Sequence, residues 1–213
     1  MKEGPLYHQN FRVATIYTIG HSTRALDELV AALKAHDVST LVDIRSFPMS
    51  RRMPHFNRES LEAELPKHGI AYVWMKGLGG RRKKIRNDSP NTGLRNDSFR
   101  NYADYMLTPE FAQAIEGLLE IVHETADPST PANFRPPAPG MTSVACSGNT
   151  AIICAERVYF QCHRMLVSDY LVAHGHTVLH IDDDKHAPRL HQLMSEARLV
   201  GDKVVYDAQQ VFG

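Results

Sequence analysis

Apolar positions along the chain fall into short runs that alternate between two periods. Residues 13–19 form a β-branched and aromatic run that stops at Gly20, and residues 26–35 then repeat apolar positions at helical spacing. The cycle recurs with a strand over 40–44, a loop rich in Pro, Arg and Ser, and a helix over 58–68 closed by Gly69. A third strand is predicted over 71–75, followed by a long polar loop, 77–96. Helices are predicted over 98–107 and 109–125, the second with Pro109 in its first turn. A strand over 150–154, a helix over 159–174 and a strand over 177–181 follow, with Gly175 at the turn between the last two. The tail reads as a helix near 190–198 and a short strand over 203–206.

Strands that are apolar nearly throughout, each followed by a helix, predict an α/β fold. The expected architecture is a single three-layer domain over 1–213, with a mainly parallel sheet and helices on both faces. Residues 127–149 interrupt the alternation with five prolines (Pro128, Pro131, Pro136, Pro137, Pro139) and no periodicity. They read as an exposed Pro-rich insertion, because strand and helix resume on the far side.

Composition bounds the partners. At 213 residues and 43% hydrophobic content the chain has material for one sizeable core. No apolar run approaches the roughly 20 residues needed to span a bilayer, and the first residues carry no hydrophobic secretory segment, so no membrane association and a cytoplasmic address are expected. Three cysteines, Cys146, Cys154 and Cys162, are an odd number that suits reduced thiols better than a disulfide framework. Zero formal net charge gives the whole molecule no bulk attraction to nucleic acid. The middle differs: from Arg45 to Arg100 thirteen basic residues stand against five acidic ones, a local excess of eight.

In open parallel sheets, sites form where strand-to-helix loops converge at the strand carboxyl ends. That rule selects four loops here. The first holds Gly20, His21 and Ser22, whose backbone amides suit either an anion or an ordinary helix cap. The second runs from Asp43 through Arg45, Ser46, Ser50, Arg51 and Arg52; its guanidinium forks suit phosphate or carboxylate, and an ion pair with Asp43 explains part of the pattern without any ligand. The third, with Gly79 among glycines and bases, lacks the spacing of a P-loop. Tyr72 and Trp74 beside it read as core aromatics, with stacking on a base as the alternative.

The fourth loop, CAERVYFQCHR over 154–164, is the densest. Cys154 and Glu156 lie at a strand end, and Cys162, His163 and Arg164 are expected in the first turns of the next helix. A thiol near a helix amino terminus beside cations favours its thiolate, with Glu156 and His163 available for proton transfer. Cys154, Glu156, Cys162 and His163 also form a conceivable metal set. Against it, no CxxC pair is present, and Cys162 and His163 diverge by about 100° if both are helical. No metal or other cofactor is therefore predicted. The same residues also fit buried structural cysteines with Glu156 paired to Arg164. The histidines His174, His176, His180, His186 and His191 fit no compact site and are expected at the surface.

The blocks TIGHST, LVDIRSFPMSRRMPHFN, LGG and CAERVYFQCHR, in this order over 17–182, resemble the signature blocks of the DUF488 family. The resemblance implies a compact α/β domain with motif positions Gly20, His21, Asp43, Arg45, Pro48, Ser50, Gly79, Cys154, Glu156, Cys162, His163 and Arg164, and it implies no particular reaction. The chain departs from the family pattern by the Pro-rich insertion and by Arg157 and Val158, where many relatives place an acid and a proline.

Taken together, these features predict an enzyme acting on a phosphorylated or nucleotide-like substrate. Cys154, Glu156, Cys162 and His163 are the expected catalytic groups. Gly20, His21, Ser22, Asp43, Arg45, Ser50, Arg51, Gly79 and Arg164 are expected around a small anionic ligand. Two alternatives stand beside it: a nucleic-acid-binding or processing accessory protein, and a thiol redox or metal-binding sensor.

Overall fold

The structure is a computed structural model that describes residues 13–126 and 147–207. The expected insertion therefore falls outside the described residues over 127–146, and its last position, Asn149, is already the first residue of a strand.

Five strands run parallel: β1 (Thr15–Gly20), β2 (Val38–Asp43), β3 (Ala71–Trp74), β4 (Asn149–Cys154) and β5 (Thr177–Ile181). With the short antiparallel strand β6 (Arg189–Leu190) they form one sheet in the order β3-β2-β4-β1-β5-β6. Alternate residues face opposite sides, as the pleat requires. Ile16, Val42, Val73 and Ile152 enter one core with helices α3 (Asp97–Met106), α4 (Pro109–Ala126) and α5 (Arg164–Ala173). Ile19, Leu41, Tyr72, Ala151 and Ile153 enter a second core with α1 (Leu26–Lys34) and α2 (Arg58–Glu64). Both faces are thus covered, which is why the parallel strands are apolar on both sides. The expected three-layer α/β architecture is present.

Three boundaries differ from the sequence expectation. Pro66 lacks the N–H that α2 needs to continue, so the chain tightens into a 3-10 turn, Leu65–His68, before Gly69 turns left-handed at φ 77. The helix expected from 159 begins only at Arg164; a 3-10 turn, Tyr159–Gln161, comes first, and Cys162 is extended at φ −134, ψ 151. The tail helix expected over 190–198 is absent. There the chain forms β6 and then a hairpin of β7 (Ala197–Val200) and β8 (Lys203–Tyr206), turned at Gly201 with φ 64. The alternation of Lys203, Val204, Val205 and Tyr206, with Val204 and Tyr206 buried, is strand periodicity.

The strand order sets the site. β1 leads toward β2 by way of α1 on one face, and its neighbour β4 leads toward β5 by way of α5 on the other. The chain thus leaves β1 and β4 toward opposite faces, and a crevice opens at their carboxyl ends, the topological switch point of the sheet.

Candidate functional site

The crevice is a cavity of about 650 Å³ whose wall includes His21 after β1, Arg45 and Ser46 after β2, and Cys154, Cys162 and His163 from the β4–α5 connection. The loops after β1 and β4 are tied backbone to backbone: His21 N–H donates to the Cys154 carbonyl at 3.0 Å and Ser22 N–H to that of Ala155 at 2.8 Å. Gly20 permits this approach, since a Cβ there would overlap the Glu156 carbonyl.

Asp43 and Arg45 form a buried, multiply bonded pair. Asp43 Oδ1 accepts the Arg45 N–H and Nε–H, both at 2.9 Å, and Oδ2 accepts Nη2–H at 2.5 Å and the Tyr72 hydroxyl at 2.7 Å. Nη2 also donates to the Phe56 carbonyl at 2.8 Å. Burial works against the Arg45 charge, and the bonds to Asp43 outweigh it, holding the guanidinium above its ordinary value. Nη1 points to His21 Nε2 at 3.1 Å. An arginine only donates, so that nitrogen holds a lone pair, and the His21 proton sits on Nδ1, which donates to the Ser22 carbonyl at 3.0 Å. His21 is accordingly neutral, its pKa lowered to about 4 by burial and then by Arg45. Trp74 Nε1–H donates to the Arg45 carbonyl at 2.9 Å, fixing the loop from behind.

His163 is fixed in the same manner. Its Nε2 donates to the Ile44 carbonyl at 3.0 Å, which leaves Nδ1 as an acceptor. That nitrogen lies 3.5 Å from Cys162 Sγ and 3.8 Å from Cys154 Sγ. The three donor atoms all lie within 4.8 Å of one another. The thiols share their protons: an S–H from Cys154 toward Cys162 holds Cys162 below its ordinary value and Cys154 above it, with burial opposing ionisation and the charge of Arg164 favouring it. Gly80 lies against the imidazole, where a Cβ would overlap Nδ1.

Arg164 is 1% exposed. It donates through Nη2 to the Glu156 carbonyl and through Nη1 to Thr18 Oγ1 at 3.2 Å. A hydroxyl oxygen has two lone pairs, so the direction is set from Asp169, whose carboxylate only accepts: read back from it, Thr18 Oγ1–H donates to His180 Nδ1 at 2.7 Å. His180 Nε2 then donates to His191 Nδ1 at 2.9 Å, and His191 Nε2 to Asp169 Oδ1 at 2.9 Å. Every link in this chain points one way, from the buried guanidinium to the buried carboxylate of Asp169, which also accepts the Tyr206 hydroxyl at 3.1 Å. The surface assignment is corrected for three histidines. His176, His180 and His191 are buried, and His180 stacks on Tyr159 with centroids 3.6 Å apart.

Of the residues singled out in the sequence, the cavity wall includes His21, Arg45, Ser50, Cys154, Glu156, Cys162 and His163. Asp43 stands behind Arg45, and Gly20 beneath His21. Four more are not on the wall. Arg51 is exposed away from it, Ser22 borders a separate hollow beside Arg24, Gly79 packs on Ser46, and Arg164 is buried behind the thiols. Glu156 is exposed, and Arg164 takes its backbone carbonyl rather than its carboxylate. Ser50 closes its own loop, its Oγ accepting Met53 N–H at 3.1 Å. Sequence reasoning named Ser46 in the second loop and marked the stretch around Gly80 through LGG, but passed over Phe47 and Met49.

No curated protein and no solved structure matches the chain significantly. A family model described as "Domain of unknown function DUF488" matches residues 25–127, which carry Asp43, Arg45, Ser50 and Gly79 but stop short of β4 and the thiols. Over that stretch the chain is similar to the DUF488 family.

Proposed function

We propose that this protein is an enzyme acting on a small phosphate-bearing or nucleotide-like substrate at the cavity on the strand carboxyl ends. One observation carries the reading: a guanidinium clamped by a buried carboxylate, two thiols and an imidazole acceptor face the same cavity. A buried ion pair is weak as a source of stability, because desolvation offsets most of its attraction. Its effect here is to hold the guanidinium in one orientation on the cavity wall, as donors fixed in advance are needed to bind an anion. Cys154, Cys162 and His163 would supply the reacting centre, and the exposed carboxylate of Glu156 on the wall would exchange protons with solvent.

Trp74 is the only tryptophan in the chain and is bonded to the Arg45 carbonyl, so its emission reports on this loop. Titration with inorganic phosphate and with nucleoside monophosphates should change the emission saturably and raise the melting temperature, whereas an uncharged nucleoside should do neither. Unchanged emission and melting with every anion would sink the proposal.

The cavity rim favours a second reading, in which the phosphate belongs to single-stranded nucleic acid. Phe47 and Met49 are 63% and 76% exposed on the wall, and the Arg81 guanidinium lies 5.9 Å from the Phe47 ring centroid. Arg51, Arg52, Lys83 and Lys84 are exposed on the same two loops. Bases stack on such aromatics while cations track the backbone. Oligonucleotide affinity would then fall by orders of magnitude between about 50 and 200 mM salt; binding indifferent to salt argues against this reading.

A further inference from the structure

We infer that Cys154, Cys162 and His163 form a metal centre of the Cys2His type, selective for a zinc-like cation, with its fourth position open to the cavity. The inference rests on the reading above for placing chemistry at this cavity, and it names what the reacting centre is.

Distance carries the argument. A tetrahedral ion with Zn–S near 2.3 Å and Zn–N near 2.0 Å sets its ligands about 3.6 Å apart for sulfur and nitrogen and about 3.8 Å for two sulfurs. His163 Nδ1 lies 3.5 Å from one sulfur and 3.8 Å from the other, and all three atoms fall within 4.8 Å. A single nitrogen lone pair can accept one thiol proton, so hydrogen bonding to it calls for one thiol at this distance; a shared cation calls for both. The objection drawn from helical geometry does not apply, because Cys162 is extended and the helix begins at Arg164. A ligand at the end of β4 and two just ahead of α5 are thereby turned to one point.

The surroundings agree. Metal-binding histidines are held by a hydrogen bond from the other ring nitrogen, and His163 Nε2 has one to the Ile44 carbonyl at 3.0 Å. All three residues are buried, at 7%, 4% and 8% exposure. Two thiolates neutralise a dication, and Arg164 and Arg45 then leave the open position electropositive, suited to a phosphate oxygen or to a water that Glu156 on the wall can deprotonate. Glu156 is not among the converging donors.

The test uses the full chain, purified without an affinity tag that binds metal. Zinc content near one equivalent per chain is expected, and cobalt in its place should give a thiolate charge-transfer band with tetrahedral d–d absorption. Cys162→Ser and Cys154→Ser should each weaken cobalt binding by more than the roughly 10- to 100-fold that loss of an outer-shell partner costs. Glu156→Gln should retain it. Circular dichroism of the serine variants checks that they fold; should either fail, alkylation of wild-type Cys154 and Cys162, slow with zinc and fast with chelator, gives the same answer. Overturning results are the lack of a charge-transfer band, or a band unchanged in folded Cys162→Ser. Repeating the Trp74 phosphate titration with and without chelator separates the two readings: phosphate binding without any metal band removes the centre and keeps the substrate reading, and a band without phosphate binding does the opposite.

Discussion

At the scale of single residues, two glycines hold the site together in different ways, and substitution should separate them. Alanine at Gly20 would meet the Glu156 carbonyl and the Arg157 Cα, which are backbone and cannot rotate aside. Gly20→Ala should therefore push the β1 and β4 loops apart and break the bonds from His21 N–H and Ser22 N–H, with a loss toward the upper end of the roughly 1 to 3 kcal/mol typical of overpacking. At Gly80 the obstacle is the His163 ring, held by one hydrogen bond to Ile44. Gly80→Ala should displace the imidazole from the sulfurs at a smaller cost in stability. Urea denaturation and cobalt absorption measured on both variants check this; equal stability losses, or an undisturbed cobalt spectrum in Gly80→Ala, contradict it. That His21, Arg45, Ser50, Cys154, Glu156, Cys162 and His163 gather at one cavity was legible at this scale, because rare types crowd into four loops. Their partners were not. Ser46, Gly80 and the Ile44 carbonyl act through where the backbone brings them, and no residue type announces that.

At the scale of elements, the chain Arg164–Thr18–His180–His191–Asp169 links α5, β1, β5 and the segment after β6. Thr18 is its narrowest point, since a single hydroxyl both accepts from Arg164 and donates to His180. Thr18→Val keeps the volume and removes both bonds, leaving a fully buried guanidinium N–H and an imidazole nitrogen without partners. The expected cost is about 1 to 3 kcal/mol for each group so stranded, read from urea denaturation. Thr18→Ser, which keeps the hydroxyl, should recover most of it; a valine variant as stable as the serine variant would show that the hydroxyl is not engaged. Nothing in the sequence could have assembled this chain. Thr18 and His180 are register partners in parallel strands, and His191 reaches them because its N–H donates to the Val178 carbonyl of β5. Sequence spacing encodes neither relation, so the histidines looked scattered. The same limit explains the tail. Leu190, Leu193, Met194 and Ala197 repeat at helical intervals, yet strand pairing with β5 and the β7–β8 hairpin determined the conformation. The helix expected from 159 shows the converse: its period was real, but the chain straightens at Cys162 before α5, which brings Cys162 and His163 together with Cys154.

At the scale of the molecule, the rule of strand carboxyl ends pointed to the loops that line the cavity, and the α/β class followed from strand and helix alternation. The insertion of β4 between β2 and β1 did not, because order within a sheet is set by contacts far apart in sequence. One consequence concerns the whole folding equilibrium. Two imidazoles buried on opposite sides of β1 have lowered pKa values, His21 to about 4 and His180 to about 3, each chiefly through burial. Unfolded, both titrate near 6.5. Below that pH the unfolded chain takes up protons that the native state refuses, so acid favours unfolding. Their contribution is fully present above about pH 6.5 and declines as pH falls toward 4, by up to about 1.4 kcal/mol per pH unit for each histidine. The measurement is urea stability from about pH 7.5 down to about 4.5, which brackets that window, in excess chelator so that acid release of a metal does not contribute. His180→Gln keeps a hydrogen-bonding side chain and cannot ionise. Whatever its baseline stability, its slope against pH should be shallower than that of the wild type by up to about 1.4 kcal/mol per unit. Identical slopes would mean that His180 takes its proton in the folded protein as readily as in the unfolded chain, and that the one-way polarity of the chain from Arg164 to Asp169 is wrong.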